Sequence, residues 1–335
     1  MMKSRLGFGK ILFLILLVAG TVHILRNQEP YQNNKGEVFG TYYSITYQSK
    51  ESLHGEIKAV LEKVNNSLSP FNKSSVITAV NNNKDVTPDS MFITVFTLAQ
   101  EISDKTNGAF DITIAPLVNA WGFGFKRGIP VDSAAIDSLH KLVGYSSVSI
   151  TDGKILKQNP GTMLDCSAIA KGYGCDMVAR MFEKHGIDNY MVEIGGEVVA
   201  KGKNAKGKAW SIGINKPVDD PSASNNELLG VIRLDGKGMA TSGNYRNFRY
   251  ENGKKIAHTI DPRTGYPVQH SLLSATVIAD DCATADAYAT SFMVMGIEEA
   301  METCRRENSI EAYFIYSDND GNLKITETEG MKRYH

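Results

Sequence analysis

A chain of 335 residues is long enough to bury a large core, which excludes a peptide-sized binder and allows about two domains, or one large one, at roughly 150 residues per domain. Its 42% hydrophobic and 22% charged residues are those of an ordinary globular protein, and a formal net charge of -1 supplies no global basic field for nucleic acid. The only dense basic run, Lys201-Gly-Lys-Asn-Ala-Lys-Gly-Lys208, holds glycines and no interleaved aromatics, so it reads as a solvated hairpin loop.

At the N-terminus, Lys3, Arg5 and Lys10 precede the uninterrupted apolar run Ile11–Leu25, which ends at Arg26. Its 15 residues stand at the border between a signal-peptide core of about 7–15 residues and a spanning helix of about 17–25. Either outcome exports the remainder. Ala19 and Gly20 offer a cleavage point that would give a secreted form, and no cysteine lies near them to accept a lipid. We expect an uncleaved anchor in the inner, cytoplasmic membrane. The three cations ahead of the run keep residues 1–10 in the cytoplasm, residues 11–25 lie in the membrane, and the folded unit faces the periplasm.

Residues 26–37 are polar and read as a tether, so the folded unit is expected over 38–335. Tyr42–Tyr47 alternates and is rich in aromatic and β-branched residues, which suits a strand. Ile57, Val60, Leu61 and Val64 give Leu53–Leu68 a helical spacing, as Phe92, Val95, Phe96, Ala99 and Ile102 do for Ser90–Thr106. A helix is expected over Cys166–His185, stopped by Gly186, followed by two short strands around a Gly-Gly pair in Tyr190–Ala200. Trp210–Asn215 and Gly230–Leu234 alternate as strands, a long helix spans Cys282–Arg306, and Ala312–Tyr316 closes as a strand. The expected class is mixed α+β, with helices covering a largely antiparallel sheet system.

The four cysteines, Cys166, Cys175, Cys282 and Cys304, lack C-x-x-C spacing, so a thiolate metal site is not expected. Cys166 and Cys175 fall in one expected helix and cannot bridge each other there. All four read as small buried residues.

Chemistry concentrates in five places. In Ile256–Pro267, Pro262, Gly265 and Pro267 mark a loop leaving a short strand, and the loop carries His258, Asp261 and Arg263. In Ala283–Ser291, Asp286 and Thr290 are four apart and share a helix face among alanines that leave room for a ligand. A carboxylate and a hydroxyl there suit Mg²⁺, while an Ala-rich interhelical contact with an ion-paired Asp286 is the plain alternative. In Asp165–Gly174, Ser167 and Ala168 lie at an expected helix start, with Lys171 one turn on, an arrangement suited to a pyrophosphate, while a solvated lysine is the plain alternative. Neither the P-loop nor the Rossmann glycine pattern is present. Gly108–Gly124 offers Phe110 and Trp121, each as readily core as ring contact, and Ala240–Arg246 places two hydroxyls and a glycine just after a strand.

Taken in order, Phe39-Gly-Thr41, Gly108-Ala-Phe-Asp-Ile-Thr113, Asp165-Cys-Ser-Ala-Ile-Ala-Lys-Gly172, Ile194-Gly-Gly196, Ala240-Thr-Ser-Gly-Asn-Tyr245, His258-Thr-Ile-Asp-Pro-Arg-Thr-Gly265 and Ala285-Asp-Ala-Tyr-Ala-Thr290 resemble the FAD:protein FMN transferase (ApbE) family, over nearly all of the chain after the tether. The resemblance implies a Mg²⁺-dependent enzyme with FAD as substrate. Such an enzyme moves FMN onto a threonine hydroxyl of an exported acceptor protein through a phosphoester bond and releases AMP. It implies Mg²⁺ on the main-chain oxygen of Ala168 with Asp286 and Thr290. FAD would be held by Phe39, where the family commonly has Met, by Ala109, Phe110 and Asp111, and by Asp165, Lys171 and Ile260. His258 is the candidate base, because an imidazole titrates near neutrality, with Asp261 as its orienting partner and Arg263 as a clamp on the loop. The rival readings are an FAD pyrophosphatase giving FMN and AMP, and a non-catalytic FAD-binding protein.

Overall fold

The alternating residues of Tyr42–Tyr47 do form a strand, and an eight-stranded sheet is assembled beside it in the computed structural model, which describes residues 8–27, 29–126, 132–217, 227–244, 248–251 and 254–335. In chain order the elements are α1 (Phe8–Asn27), β1 (Tyr31–Val38), β2 (Thr41–Gln48), α2 (His54–Leu68), α3 (Val76–Asn81), α4 (Ser90–Lys105), α5 (Ala115–Ala120) and α6 (Ser133–His140). Next come β3 (Val148–Thr151), β4 (Lys154–Lys157), α7 (Ala170–Lys184), β5 (Tyr190–Ile194), β6 (Glu197–Lys201), β7 (Trp210–Asn215), β8 (Leu228–Leu234) and β9 (Lys237–Gly243). The last are β10 (Phe248–Glu251), β11 (Lys254–Ala257), β12 (Leu272–Ala279), α8 (Cys282–Met295), α9 (Ile297–Arg306), β13 (Glu311–Ser317) and β14 (Leu323–Glu327).

The large sheet runs β1-β2-β5-β6-β9-β12-β13-β14 with every neighbouring pair antiparallel, so the mixed α+β class with largely antiparallel sheets holds. Its strands alternate between two buried faces, because successive strand side chains point to opposite sides. Ala275 and Val277 of β12 and Phe314 of β13 face α8 and α4, whereas Ile278, Tyr313 and Ile315 face the β7–β8 ribbon around Trp210, Ile214 and Ile232. At the other end Tyr43, Ile45 and Tyr47 of β2 pack on Ile57 and Leu61 of α2 and Val178 and Phe182 of α7. Each fully buried Phe or Ile of this kind contributes about 1.5–3 kcal/mol.

The amphipathic helices follow their spacing. Ile57, Leu61 and Val64 of α2 are buried and Val60 is half-buried, and Phe92, Val95, Phe96, Ala99 and Ile102 of α4 are all buried, with its start capped by Asp89 accepting from the Phe92 N–H. The Lys201–Lys208 run is, as expected, an exposed turn, closed by a bridge between Lys203 and Ala209.

Four boundaries differ from expectation. From Tyr31 the supposed tether is strand β1, since pairing with β2 over its whole length outweighs its polar composition. Helix α7 begins at Ala170, because Ile169 sits at φ -146 and leaves Cys166–Ile169 as a turn; it ends as expected before Gly186 at φ 70. Cys166 therefore lies ahead of the helix that holds Cys175, and all four cysteines are free and buried. The expected long helix divides into α8 and α9 at Gly296, whose φ of 77 no helix accommodates. Ala240, Thr241 and Ser242 lie within β9, not after it, while Tyr245 and Arg246 fall outside the described residues.

Helix α1 takes up the N-terminal apolar run, and Lys3 and Arg5 fall outside the described residues. Among the described residues no helix is long and apolar enough to cross a membrane.

Helices α7 and α8 approach closely at Gly172, where an added Cβ would stand 2.3 Å from the main-chain oxygen of Cys282. Backbone cannot rotate away as a side chain can. Gly172→Ala is therefore expected to destabilise the protein by about 1–3 kcal/mol, measured as a lowered denaturation midpoint in urea. An unchanged midpoint would show that the two helices separate freely.

Candidate active site

A cleft of about 1420 Å³ opens beside α7, α8 and the middle of the large sheet. Its walls come both from strands, among them Glu197 of β6, Ile212 of β7 and Thr241 of β9, and from segments between the strands. Of the residues singled out above, Phe39, Ala109, Phe110, Asp111, Asp165, Ala168, Lys171, His258, Ile260, Asp286 and Thr290 all line it. Asp261 does not.

The first wall is the β1–β2 turn. Val38 pairs with Thr41, leaving Phe39 and Gly40 as a two-residue hairpin loop with both φ values positive, at 53 and 72. A bulky residue held in the left-handed region is uncommon and marks a site that the surroundings over-determine. The Phe39 ring finds its place at Gly174 of α7, where a Cβ would come within 2.8 Å of it.

The second wall is the 108–113 loop. Asp111 Oδ1 accepts from the N–H and hydroxyl of Thr113, both at 2.7 Å, and Oδ2 accepts from the Tyr145 N–H at 2.8 Å. Burial pushes its carboxyl up, against the pull of these three bonds. Its oxygens thus brace the loop on which Ala109 and Phe110 stand. The Asp165 N–H donates to the Ile112 carbonyl at 2.7 Å, and Asp165 Oδ1 accepts from the Ser167 N–H at 2.8 Å, which shapes the turn carrying Ala168. Burial raises the Asp165 carboxyl as well.

The charged centre lies where α7, α8 and β6 meet. Lys171 Nζ stands 3.1 Å from Glu197 Oε1 and 3.6 Å from Asp286 Oδ1. Asp286 Oδ2 accepts from the Gly172 N–H at 3.1 Å. Glu197 follows the Gly195-Gly196 turn, whose φ values of 60 and 100 let β5 reverse directly into β6 and aim the carboxylate at Lys171. One ammonium serves two buried carboxylates. Burial pushes the Glu197 carboxyl up, Lys171 beside it pulls the other way and Asp286 adds to the rise, and its Oε2 is buried without a hydrogen-bond partner. Thr290 lies one helical turn beyond Asp286 on α8.

The fourth wall is the loop after β11, folded back by a bridge between Ile260 and Pro267 and by the Asp261 N–H donating to the Tyr266 carbonyl. Ile260 anchors it among Leu117 and Ile136, and Trp121 Nε1 donates to the Gly265 carbonyl at 2.9 Å. His258 faces the cleft with its ring edge-on to Phe123 at 6.4 Å. The expected pairing of Asp261 with His258 is replaced by another. Asp261 Oδ1 accepts from Arg263 N and Nε and Oδ2 from Arg263 Nη2, while Arg263 Nη1 donates to Glu299 of α9 at 2.8 Å. A guanidinium fork matches a carboxylate in two places, so it holds Asp261 where an imidazole makes one bond. Arg263 is thereby the clamp on the loop.

Glu197 carries little signal in the sequence because an acid in the largely apolar run Tyr190–Ala200, like Glu193 beside it, looks like a strand's solvent-facing residue; its signal is the Gly-Gly turn before it. Phe71, 65% exposed, also lines the cleft, its ring edge-on to Phe125 at 6.1 Å.

Next to this centre, Asp176 accepts from the Cys282 and Ala283 N–H groups at 2.8 and 2.9 Å, tying α7 to the start of α8. Burial first, and the charge of Asp281 second, push it up to about 7 against those two amides. The folded chain then holds a proton that the unfolded chain releases near 3.8, so this contribution to stability is complete below about 4 and lost as pH rises through about 7. Melting temperatures of the wild type should fall relative to those of Asp176→Asn across that window. A difference independent of pH would mean that Asp176 is ionised throughout.

A cleft with aromatic walls, an ammonium, two carboxylates and an imidazole suits a large ligand carrying both rings and negative charge, and defines an enzyme of the mixed α+β type. Residues 39–314 match the ApbE family. The FAD:protein FMN transferase of Haemophilus influenzae is 38% identical over 320 residues, 88% of this chain and 91% of that protein. The solved flavin transferase ApbE from Vibrio cholerae superposes with a TM-score of 0.82 at 33% identity, covering 92% of this chain and 100% of that one. The apo form of Pseudomonas stutzeri flavinyl transferase ApbE gives 0.81 at 31% identity, covering 92% and 97%. The chain belongs to the ApbE family and is an enzyme of the FAD:protein FMN transferase type.

Proposed function

We propose that this enzyme moves the FMN half of FAD onto a threonine hydroxyl of an exported acceptor protein, releases AMP, and depends on Mg²⁺. The observation that carries the reading is the cluster of Lys171, Glu197 and Asp286 in one cleft with His258. Opening a pyrophosphate needs neutralised charge, an in-line nucleophile and a destination for the nucleophile's proton. Lys171 supplies a fixed positive charge for the phosphates. His258 takes the proton as the threonine oxygen bonds to the FMN phosphorus and the bond to the bridging oxygen breaks, so that AMP leaves with that oxygen. Phe39, Phe110 and Ile260 wall the cleft for the rings of the substrate.

Among the described residues no three His, Cys, Asp or Glu side chains group to hold a metal. A hard cation of the Mg²⁺ type needs fewer, since it keeps several waters and substrate oxygens. The Ala168 carbonyl, the Asp286 carboxylate and the Thr290 hydroxyl would hold it, and the orphaned Glu197 oxygen beside an excess of carboxylate over ammonium fits a missing positive charge. Bound there, Mg²⁺ supplies charge neutralisation to the pyrophosphate.

The test is to incubate FAD, Mg²⁺ and a threonine-bearing acceptor with the enzyme, and to measure AMP and protein-bound flavin together. AMP with covalent flavin supports transfer. AMP with only free FMN makes the enzyme a pyrophosphatase, and no AMP leaves a binding protein.

The N-terminal run places the remainder outside the cytoplasm in this reading, held at the inner membrane or released after cleavage. A reporter fused after His335 should be active in the periplasm. Activity confined to the cytoplasm would remove the case for an exported acceptor.

A further inference from the structure

We propose that Glu197 is a positioning residue for the reaction: by holding the Lys171 ammonium it keeps that charge off Asp286 and leaves the Asp286 carboxylate open to a divalent cation. The two carboxylates flank one ammonium unequally. Glu197 is within hydrogen-bond reach of Nζ at 3.1 Å, and Asp286 is beyond it at 3.6 Å. Both carboxylates are about 5% exposed and Lys171 27%, so the choice between partners is made largely out of water, where a charge is held by its nearest partner.

The backbone enforces the arrangement from both sides. Asp286 is fixed by the Gly172 N–H at 3.1 Å, one residue on from Lys171, so the carboxylate cannot swing away from the ammonium's reach. Glu197 is placed by the Gly-Gly turn before it, and its carboxylate draws Nζ toward the sheet. Without Glu197, Lys171 closes on Asp286 and becomes the cation there. With it, Lys171 stays turned to the cleft as a second positive charge, separate from whatever Asp286 binds. Glu197 acts through Lys171, not by touching the cation.

The proposal rests on the reading of Asp286 as a ligand of Mg²⁺, and a binding titration separates the two. Mg²⁺ is titrated calorimetrically into the full-length, substrate-free protein. Asp286→Asn should abolish binding; if it binds as the wild type does, the assignment of Asp286 fails and the role of Glu197 with it. If Asp286→Asn loses binding, Glu197→Gln should weaken Mg²⁺ affinity about tenfold, because a neutral amide competes poorly with a carboxylate for an ammonium. The decisive pair is Lys171→Met and Glu197→Gln/Lys171→Met, which should bind Mg²⁺ within about threefold of each other, since Glu197 has no ammonium left to hold. A double variant still about tenfold weaker than Lys171→Met would make Glu197 a ligand, and a Glu197→Gln protein with unchanged affinity would end the proposal. Should Glu197→Gln fail to fold, Glu197→Asp, one methylene short of Lys171, should show a smaller loss that also vanishes in the Lys171→Met background.

Discussion

Asp286→Asn is expected to cut AMP release from FAD about 100- to 1,000-fold, the rate equivalent of the several kcal/mol that a metal contributes to charge stabilisation. The substitution keeps the shape of the side chain. Its amide oxygen still accepts from the Gly172 N–H now bonded at 3.1 Å, and Lys171 keeps Glu197, so α7 and α8 should stay docked. What is lost is the full negative charge offered to a hard cation, and raised Mg²⁺ should partly restore turnover. Thr290→Ala should move in the same direction and less far, because a hydroxyl brings no charge. The measurement is AMP release as a function of Mg²⁺, with melting temperature as the control for folding. Normal turnover by Asp286→Asn at low Mg²⁺ would place the metal elsewhere and detach this cleft from phosphoryl transfer.

Removing the base should separate rate from binding. His258→Ala is expected to lower threonine flavinylation about 100- to 10,000-fold, the range over which a positioned general base acts, while FAD affinity stays close to that of the wild type. The geometry favours such a split. His258 sits at the start of a loop whose shape is held by the Ile260–Pro267 bridge, by Trp121 on the Gly265 carbonyl, and by the clamp from Asp261 through Arg263 to Glu299. None of these contacts involves the imidazole. Single-turnover flavinylation and a fluorescence titration with FAD would measure the two quantities on one sample. Equal losses in both would make His258 a wall of the pocket.

Much of the architecture was legible because its helices have one wet face. The spacing in α2 and α4 announces which side is buried: the five residues read for α4 are all buried, and so are three of the four read for α2, Val60 being half-buried. Helix α8 carries no such stripe, since it is buried nearly all round against the sheet and α7, so only its run of small residues pointed to it. Strand β1 was invisible for the opposite reason. It is an edge strand whose Gln32, Asn33, Asn34 and Lys35 look like a tether, and only the ladder to β2 makes it a strand. The break at Gly296 depends on one backbone angle that a helical pattern on either side conceals.

The site divides in the same way. Lys171, Asp286, Thr290 and His258 could be chosen because each brings a reactive group next to a helix start, a small-residue face or a loop. Glu197 could not, because its importance comes from facing Lys171 across two elements distant in sequence. Asp261 was given the wrong neighbour because closeness along the chain does not fix direction, and Arg263, two residues on, offers a better-matched partner.

The large sheet is laid down in the order of the chain, each strand beside the one before it, with part of the cleft's lining carried on the segments between. Strand register is therefore decided by immediate neighbours, and the long stretch 49–189 between β2 and β5 need only return the chain to the same place. Closing a longer loop costs little, about 0.6 kcal/mol for each doubling of its length. That part of the pocket is thus separable from the platform: such segments can be lengthened or trimmed at small cost while the same sheet continues to hold Glu197 opposite Lys171.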